Sequence, residues 1–193
     1  MTFAPGAEHS GEKFIASDFT GQSLADQTFE DCTFVNCDFK NVALERSRFV
    51  GCTFTSCDLS NAKLANARVR DSVFESCKLL GIHWFQLADL VNPSFRECNL
   101  SYCSFGGMKL KKTVLFKCNF RESDFSQADF SECDFRESEF SGARFHGTSL
   151  LKSDFRGATS YLIDPIGNKV KGARFSLPDA QGLLAGLGVV IEG

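Results

Sequence analysis

Apolar residues recur at every fifth position along most of this chain. The series starts at Phe14 and runs unbroken to Leu79, then resumes at Leu90 after a shift of one residue and continues to Phe155. It includes 17 of the 21 phenylalanines. An amphipathic helix repeats every 3.6 residues and a half-buried strand every two, so neither element explains a period of five. The spacing predicts a chain that turns a corner once in every five residues.

A second row of residues lies two positions before each apolar centre. Its side chains are mostly Ala, Ser, Thr, Val and Cys, and it contains all nine cysteines: Cys32, Cys37, Cys52, Cys57, Cys77, Cys98, Cys103, Cys118 and Cys133. Residues two apart share one side of an extended strand, and the remaining polar or Gly positions suit a corner. Short strands separated by corners predict a solenoid whose coils stack through backbone hydrogen bonds.

The repeated unit resembles the motif of the pentapeptide-repeat family. Residues 37–41 (CDFKN), 128–132 (ADFSE) and 153–157 (SDFRG) each show a small residue, Asp, Phe and then two polar or small residues. The resemblance extends over residues 12–175. It implies an all-β, right-handed quadrilateral β-helix with one pentapeptide per side and twenty residues per coil, which gives about eight coils here, followed by a short C-terminal helix.

On this fold the chain divides into a flexible segment at residues 1–11, the β-helix at 12–175 and a C-terminal segment at 176–193. The centre residues fill the axis, and we expect a core ladder that includes Phe34, Phe39, Phe54, Phe120, Phe125, Phe130 and Phe135. The shift in the period falls near His83, Trp84 and Phe85, where either aromatic residue could serve as the centre.

The C-terminal segment predicts a helix and a strand. Ser176 and Pro178 suit a helix start, and the strand is expected at residues 189–191. An open solenoid end exposes apolar rings and must be capped or paired. We predict a homodimer interface formed by Leu183, Leu184, Leu187, Val189, Val190 and Ile191. The alternative is a monomer whose helix folds over its own end.

Composition and charge limit the partners and the location. The net charge of −3 argues against general affinity for nucleic acid or anionic membranes. No apolar run approaches the ~20 residues that cross a bilayer, and the N-terminus lacks the pattern of a secretory signal. We therefore expect a cytoplasmic protein that contacts neither a membrane nor nucleic acid directly.

Candidate chemistry is sparse. Cys32, Cys37, Cys52 and Cys57 loosely mimic a zinc spacing, but the phenylalanines need the same space, so we expect neither a metal site nor a cofactor. No catalytic residues are predicted and the protein is not expected to be an enzyme, which leaves the outer surface. There the local cluster of Lys109, Lys111 and Lys112 is a candidate partner contact.

Residues 173–179 (ARFSLPD) and the apolar residues after them resemble the C-terminus of the Qnr and MfpA class of pentapeptide-repeat proteins. That resemblance implies a cytoplasmic dimer that binds DNA gyrase or topoisomerase IV as a DNA-like rod and relieves their inhibition by quinolones or toxins. This chain departs from the class in having no projecting loop and a surface of mixed charge. The alternatives are a scaffold for an unrelated cytoplasmic protein and an immunity factor against a gyrase-directed toxin.

Overall fold

The computed structural model describes residue 4 and residues 6–189. Eleven strands of three residues form two parallel sheets, in which each strand pairs with the strand one coil away. The first sheet contains Glu8–Ser10 (β1), Thr28–Glu30 (β3), Arg48–Val50 (β5), Arg68–Arg70 (β7) and Asp89–Val91 (β9). The second contains Lys13–Ile15 (β2), Thr33–Val35 (β4), Thr53–Thr55 (β6), Val73–Glu75 (β8), Ser94–Arg96 (β10) and Val114–Phe116 (β11). Within the described residues one α-helix, Gln181–Gly186 (α1), follows these strands.

The pairing register gives four faces to each coil. Phe34 lies opposite Phe54, twenty residues later, and this offset is kept along the rod except across the insertion, where Phe74 lies opposite Phe95. We number the faces by their centre residues in chain order: face 1 begins at Phe14, face 2 at Phe19, face 3 at Leu24 and face 4 at Phe29. The predicted all-β quadrilateral β-helix with a short C-terminal helix is confirmed.

The regular strands cover only part of the rod. They make about five turns, and beyond β11 the parallel pairing continues through single bridges. Face 2 is bridged throughout and has eight rungs, at Asp18, Asp38, Asp58, Lys78, Asn99, Asn119, Glu139 and Thr159. The predicted count of eight coils therefore holds only when the rungs held by single bridges are included.

The first strand lies inside the segment predicted to precede the solenoid. Glu8–Ser10 pairs in parallel with Thr28–Glu30, and the ring of His9 stacks on Phe29 with 4.8 Å between centroids. The prediction of a flexible segment over residues 1–11 is thus wrong for residues 8–10. The spacing of five does extend back from Phe14 to His9, but a histidine at an apolar centre hides the signal.

The interior is a stack of aromatic rings. On face 1 the rings of Phe14, Phe34, Phe54, Phe74 and Phe95 form a parallel column with centroid separations of 4.9, 4.7, 4.8 and 5.1 Å. Neighbouring columns meet edge to face, a favoured arrangement for aromatic pairs; Phe34 and Phe39 are one example, at 5.4 Å and 73°. All seven phenylalanines of the predicted core ladder are at most 1% exposed.

The corners are formed by a left-handed residue two positions after each centre. Asp31 (φ 52°), Asn36 (φ 53°) and Gly51 (φ 64°) are examples, and Asn, Asp and Gly tolerate this conformation best. Some corners, which we call tight, are also closed by a hydrogen bond. The donor is the backbone amide of the residue two positions before the next centre (the small row), and the acceptor is the carbonyl of the preceding centre, as from the Ser123 amide to the Phe120 carbonyl at 3.0 Å. Open corners, such as those at Asp31 and Asn36, lack that bond and adjoin at least one three-residue strand.

The structure resolves the one-residue shift. Trp84 is the centre, with its side chain 1% exposed, whereas Phe85 is 50% exposed. A 3₁₀-helix at Trp84–Gln86 accommodates the extra residue, and His83 continues the regular pairing through a bridge to Ser104. On the next rung Leu90 is only partly buried, so the insertion loosens face 4 locally.

Candidate protein-binding surfaces

The interior offers no room for a small molecule in the described part of the rod. The internal void near Phe54, Leu64 and Trp84 is about 10 Å³, which is about the volume needed for one water. Because the axis is filled, any recognition by this rod must use its outer faces or its ends.

The cysteines are packing residues with weak hydrogen bonds. All nine are buried and unoxidised, and the Cys57 thiol lies 3.4 Å from the carbonyl oxygens of both Phe34 and Thr55. Burial raises the pKa of the Cys103 thiol to about 12. A buried protonated thiol is a poor nucleophile and a poor metal ligand. Among the described residues no group of His, Cys, Asp or Glu is arranged to hold a metal ion.

The C-terminal helix sits directly on the last coil. A Cβ atom at Gly182 would overlap the carbonyl oxygen of Tyr161, and one at Gly186 would lie 2.5 Å from the carbonyl oxygen of Ile163. Leu183 packs against the core. The two glycines therefore allow the helix backbone to cover the open end of the solenoid. The sequence analysis gave a helix folded over its own end as an alternative, but it did not predict that Gly182 and Gly186 make the contact, because a Gly-x-x-x-Gly spacing alone has many explanations.

The helix begins later than predicted. Its N-cap is Ala180, and the hydroxyl of Ser176 instead accepts a hydrogen bond from the Gly157 amide at 2.8 Å. The Leu177–Pro178 peptide bond is cis. Ser176 thus connects the segment to the rod and does not start the helix, which corrects the sequence-based assignment.

Exposed apolar side chains are concentrated at this end. Nine large apolar residues are exposed in the described chain, and six of them lie there: Leu162, Ile166, Leu177, Leu184, Leu187 and Val189. Three of these belong to the predicted dimer interface. Leu183 is instead mainly a capping residue, and Val190 and Ile191 lie outside the described residues. Such a patch of apolar surface is typical of a protein interaction site.

The lysine cluster on face 4 is partly neutralised. Lys111 Nζ lies 3.2 Å from an Asp129 oxygen and Lys112 Nζ lies 3.9 Å from a Glu132 oxygen. Lys109 makes no ion pair within the described chain. Since such exposed pairs are individually weak, the three lysines remain available to an acidic partner.

Charges of opposite sign are interleaved along the rod. On face 2, Lys40 Nζ lies 3.0 Å from Asp38 and 3.4 Å from Asp58. On face 1, Arg156 holds Asp154 at 2.6 Å, and its hydrogen bonds are the largest cause of the lowered pKa of that carboxyl. Stacked carboxylates are therefore offset by cations, and the surface is not a uniform polyanion.

These features identify the class of protein. The model of the pentapeptide repeat region matches residues 27–87 and 84–155, which together span more than half of the chain, so the chain belongs to the pentapeptide-repeat family. A search among curated proteins finds no match. Among the described residues no helix is long and apolar enough to cross a membrane.

Solved structures show the same fold. A trypsin-treated form of QnrB1, a plasmid-mediated fluoroquinolone resistance protein, matches with a TM-score of 0.71 at 22% identity, over 96% of this chain and 100% of that chain. Full-length QnrB1 matches with a TM-score of 0.59 at 22% identity, over 94% and 100% of the two chains. HetL of the cyanobacterium Nostoc, involved in regulating heterocyst differentiation, matches with a TM-score of 0.58 at 16% identity, over 89% and 86%.

Proposed function

We propose that this protein is a non-enzymatic, cytoplasmic binding protein whose partner is a type II DNA topoisomerase, with DNA gyrase as the first candidate. The observation that carries the proposal is the match to QnrB1, a fluoroquinolone resistance protein, along nearly the whole of both chains. The filled axis supports it, because it restricts the rod to surface recognition. The Qnr-like C-terminal sequence points to the same class of protein.

The charge pattern shapes how such binding would work. A full imitation of DNA would need columns of free carboxylates, since duplex DNA carries one charge per ≈ 1.7 Å of axis. Here the carboxylate columns are offset by Lys40, Arg136 and Arg156. We infer that the rod contacts the enzyme through its shape and through local patches, with less electrostatic mimicry than an acidic rod would provide.

A supercoiling assay tests the proposal. The purified protein is titrated into gyrase and relaxed plasmid, with and without a fluoroquinolone. We expect either inhibition of supercoiling or rescue from the drug. If a large molar excess produces neither, the topoisomerase proposal is wrong. Heat-unfolded protein at the same concentrations is the control for non-specific effects.

We further propose that two copies pair through the C-terminal end. The support is the concentration of exposed apolar side chains there, including Leu184 and Leu187 at 42% and Val189 at 48%. A symmetric pair would bury the same patch on both copies. We expect wild-type protein to sediment as a dimer and the Leu184→Glu/Leu187→Glu variant as a monomer. Ile15→Glu, at an exposed position near the other end of the rod, should leave the dimer intact; a wild-type monomer would contradict the proposal.

A second candidate function is that of a scaffold for an unrelated cytoplasmic protein. The interleaved charges favour it, because a mixed surface is suited to many protein partners. Purified gyrase immobilised on a sensor separates the two functions. Binding supports the first proposal, whereas a folded, dimeric rod that does not bind gyrase supports the second.

A further inference from the structure

Two arginines lie on neighbouring rungs of face 4, and neither forms an ion pair with a described residue. Arg48 in β5 lies directly opposite Arg68 in β7, which places their backbones about 4.8 Å apart. Both residues are exposed. No carboxylate of the described residues lies within 4.0 Å of either guanidinium. Like charges directly opposite one another weaken a strand pair. Asp89 lies opposite Arg68 on the next strand but is held by Arg70, so the pairing of Arg48 with Arg68 does not itself stabilise the rod.

Other stacked like charges in the rod differ from this pair. Asp38 and Asp58 share Lys40. Asp134 and Asp154 are each held by the arginine two residues later in the chain, Arg136 at 2.8 Å and Arg156 at 2.6 Å. The fold therefore has a ready way to offset stacked charges, and it does not use it at Arg48 and Arg68.

The acids on the Arg68 side of the pair are already engaged, whereas Glu8 and Glu30 line a separate depression with Arg48 on its other side. Asp89 is held by the guanidinium of Arg70, whose Nε lies 2.6 Å from the carboxylate. Asp71 accepts a hydrogen bond from the amide of Asn92 at 2.9 Å. Arg48, Val50, Arg68, Arg70 and Asp71 line a groove of about 330 Å³. The groove thus presents two unpaired guanidinium groups, each able to hold a carboxylate through two parallel hydrogen bonds.

Apolar surface continues the groove along the same face. A second depression of about 300 Å³ is lined by Leu90, Val91 and Pro93 together with Lys109 and Lys111. Leu90 is only partly buried because it follows the insertion at Trp84–Gln86. Arginine is enriched at protein–protein interfaces, and the aliphatic side chains beside it supply apolar surface that a partner can bury.

We propose that face 4, from Arg48 to Lys111, is a docking groove for an extended acidic segment of a partner protein. Carboxylates of the segment pair with Arg48 and Arg68, and an adjoining aliphatic side chain packs on Leu90 and Pro93. A nucleic acid fits less well, since Asp71 and Asp89 border the groove and would repel a continuous phosphate backbone. This inference does not rest on the topoisomerase proposal.

A labelled peptide tests the groove directly. The probe is a fluorescein-tagged peptide of alternating Glu and Val residues that ends in two leucines, and its binding to the full-length protein is followed by fluorescence anisotropy. The Arg48→Gln/Arg68→Gln variant should bind at least about tenfold more weakly, since two charge-assisted hydrogen-bonded pairs are lost. Arg121→Gln is the matched control: Arg121 is exposed on face 2 and has no ion pair within the described chain, so its loss should change nothing.

Three binding results would contradict the proposal that this groove docks an acidic segment. They are no detectable peptide binding up to millimolar concentration, equal affinity for the wild type and the double variant, or tighter arginine-dependent binding of a short DNA duplex, which would assign the groove to nucleic acid. The double variant should keep the wild-type melting temperature or exceed it, because two like charges are removed. A lower melting temperature would show that the arginines serve the fold and would also contradict the proposal.

Discussion

The coils before and after residue 100 enclose the same kind of aromatic core, but the backbone of their corners differs. In the earlier coils the corners after faces 4 and 1 are open. Those after face 4 have three-residue strands on both sides, as at Asp31 between β3 and β4, and those after face 1 lead from a strand to a single bridge, as from β4 to Asp38. In the later coils turn hydrogen bonds close corners on these faces too, as from the Ser153 amide to the Leu150 carbonyl at 3.2 Å. The number of residues per side stays at five, so the difference lies in the backbone and not in the repeat length.

The corner type determines which small residue follows it. In the coils before residue 100, six cysteines come directly after open corners: Cys32, Cys37, Cys52, Cys57, Cys77 and Cys98. Tight corners are followed mainly by Ala or Ser, and the buried Ser123 hydroxyl donates to the Leu100 carbonyl at 2.7 Å. It also accepts a bond from the Cys103 amide at 3.2 Å. At the corners after faces 4 and 1 the early coils thus have mostly thiols, whereas the later coils have a mixture: Thr113, Cys118, Cys133, Ser138, Ser153 and Ala158.

The largest expected effect that tests this comparison is alkaline unfolding. Burial is the main cause that raises the pKa of Cys52, Cys103 and Cys133 to about 12. The pKa values of Cys77 and Cys98 are also about 12: for Cys77 the interaction with Cys57 lowers the pKa, and the one with Cys98 together with burial raises it, whereas for Cys98 the interaction with Cys118 is the first cause that raises it. Below pH ~9 the thiols are protonated in both the folded and the unfolded chain, and their contribution to the free energy of unfolding is fully present. Above it only the unfolded chain ionises, so the free energy of unfolding falls by about 1.4 kcal/mol per thiol per pH unit until about pH 12.

Urea unfolding between pH 8 and 11, followed by the fluorescence of the single tryptophan, Trp84, measures this slope. Replacing Cys52, Cys77 and Cys98 by serine should remove more than half of the slope that the five thiols cause. A slope that does not change would show that the thiols of the open corners are already ionisable in the folded rod.

The next effect concerns the aromatic core on both sides of the comparison. Phe54 stacks in parallel on Phe34 and Phe74 at 4.7 and 4.8 Å. Phe130 meets Phe125 edge-on at 5.2 Å. Both are completely enclosed, so Phe54→Ala and Phe130→Ala should each cost about 3–5 kcal/mol in urea unfolding. Burial dominates over ring geometry in this expectation; a cost below 1 kcal/mol for one of the two would show that its coil repacks.

Ser123→Ala and Cys52→Ala give a smaller and more specific contrast. Removing the Ser123 hydroxyl leaves the Leu100 carbonyl and the Cys103 amide without that partner, which should cost about 1–3 kcal/mol. Removing the Cys52 sulfur deletes only weak bonds, at 3.3 and 3.5 Å, and leaves a small void, with an expected cost of about 1 kcal/mol. Thermal unfolding of the two variants ranks them. The reverse order would mean that the sulfur volume matters more than the hydroxyl bonds.

Much of this fold follows from the period of five. The series from Phe14 to Phe155 predicts which residues are centres, which belong to the small row and which form corners, because each position of the repeat has the same environment in every coil. Open and tight corners could not be distinguished, since both use a left-handed residue at the same place, such as Asp31 in an open corner and Glu122 in a tight one. The helix contact at Gly182 also escaped, because it depends on where the last coil ends in space.

Surface function was harder to predict than the core. The lysine cluster was visible as adjacent letters, whereas Arg48 and Arg68 are twenty residues apart and become neighbours only through stacking. Which acids neutralise which cations depends on rotamers that the sequence does not specify. The repeat therefore predicts the interior well and leaves the exposed columns to be read from the structure.

The smallest expected effect concerns the insertion at Trp84–Gln86, which lies near the boundary between the early and the late coils. Trp84 is 1% exposed and lies edge-on to Phe95 at 5.3 Å, whereas Phe85 is half exposed on the 3₁₀-helix that accommodates the insertion. Phe85→Ser should therefore change the free energy of unfolding by less than about 0.5 kcal/mol, while Trp84→Ala should cost about 3–5 kcal/mol. Thermal unfolding by circular dichroism compares the two without relying on the tryptophan. A large loss in Phe85→Ser would mean that the extra residue is packed into the core, and that the early and late coils are joined by a different register from the one described.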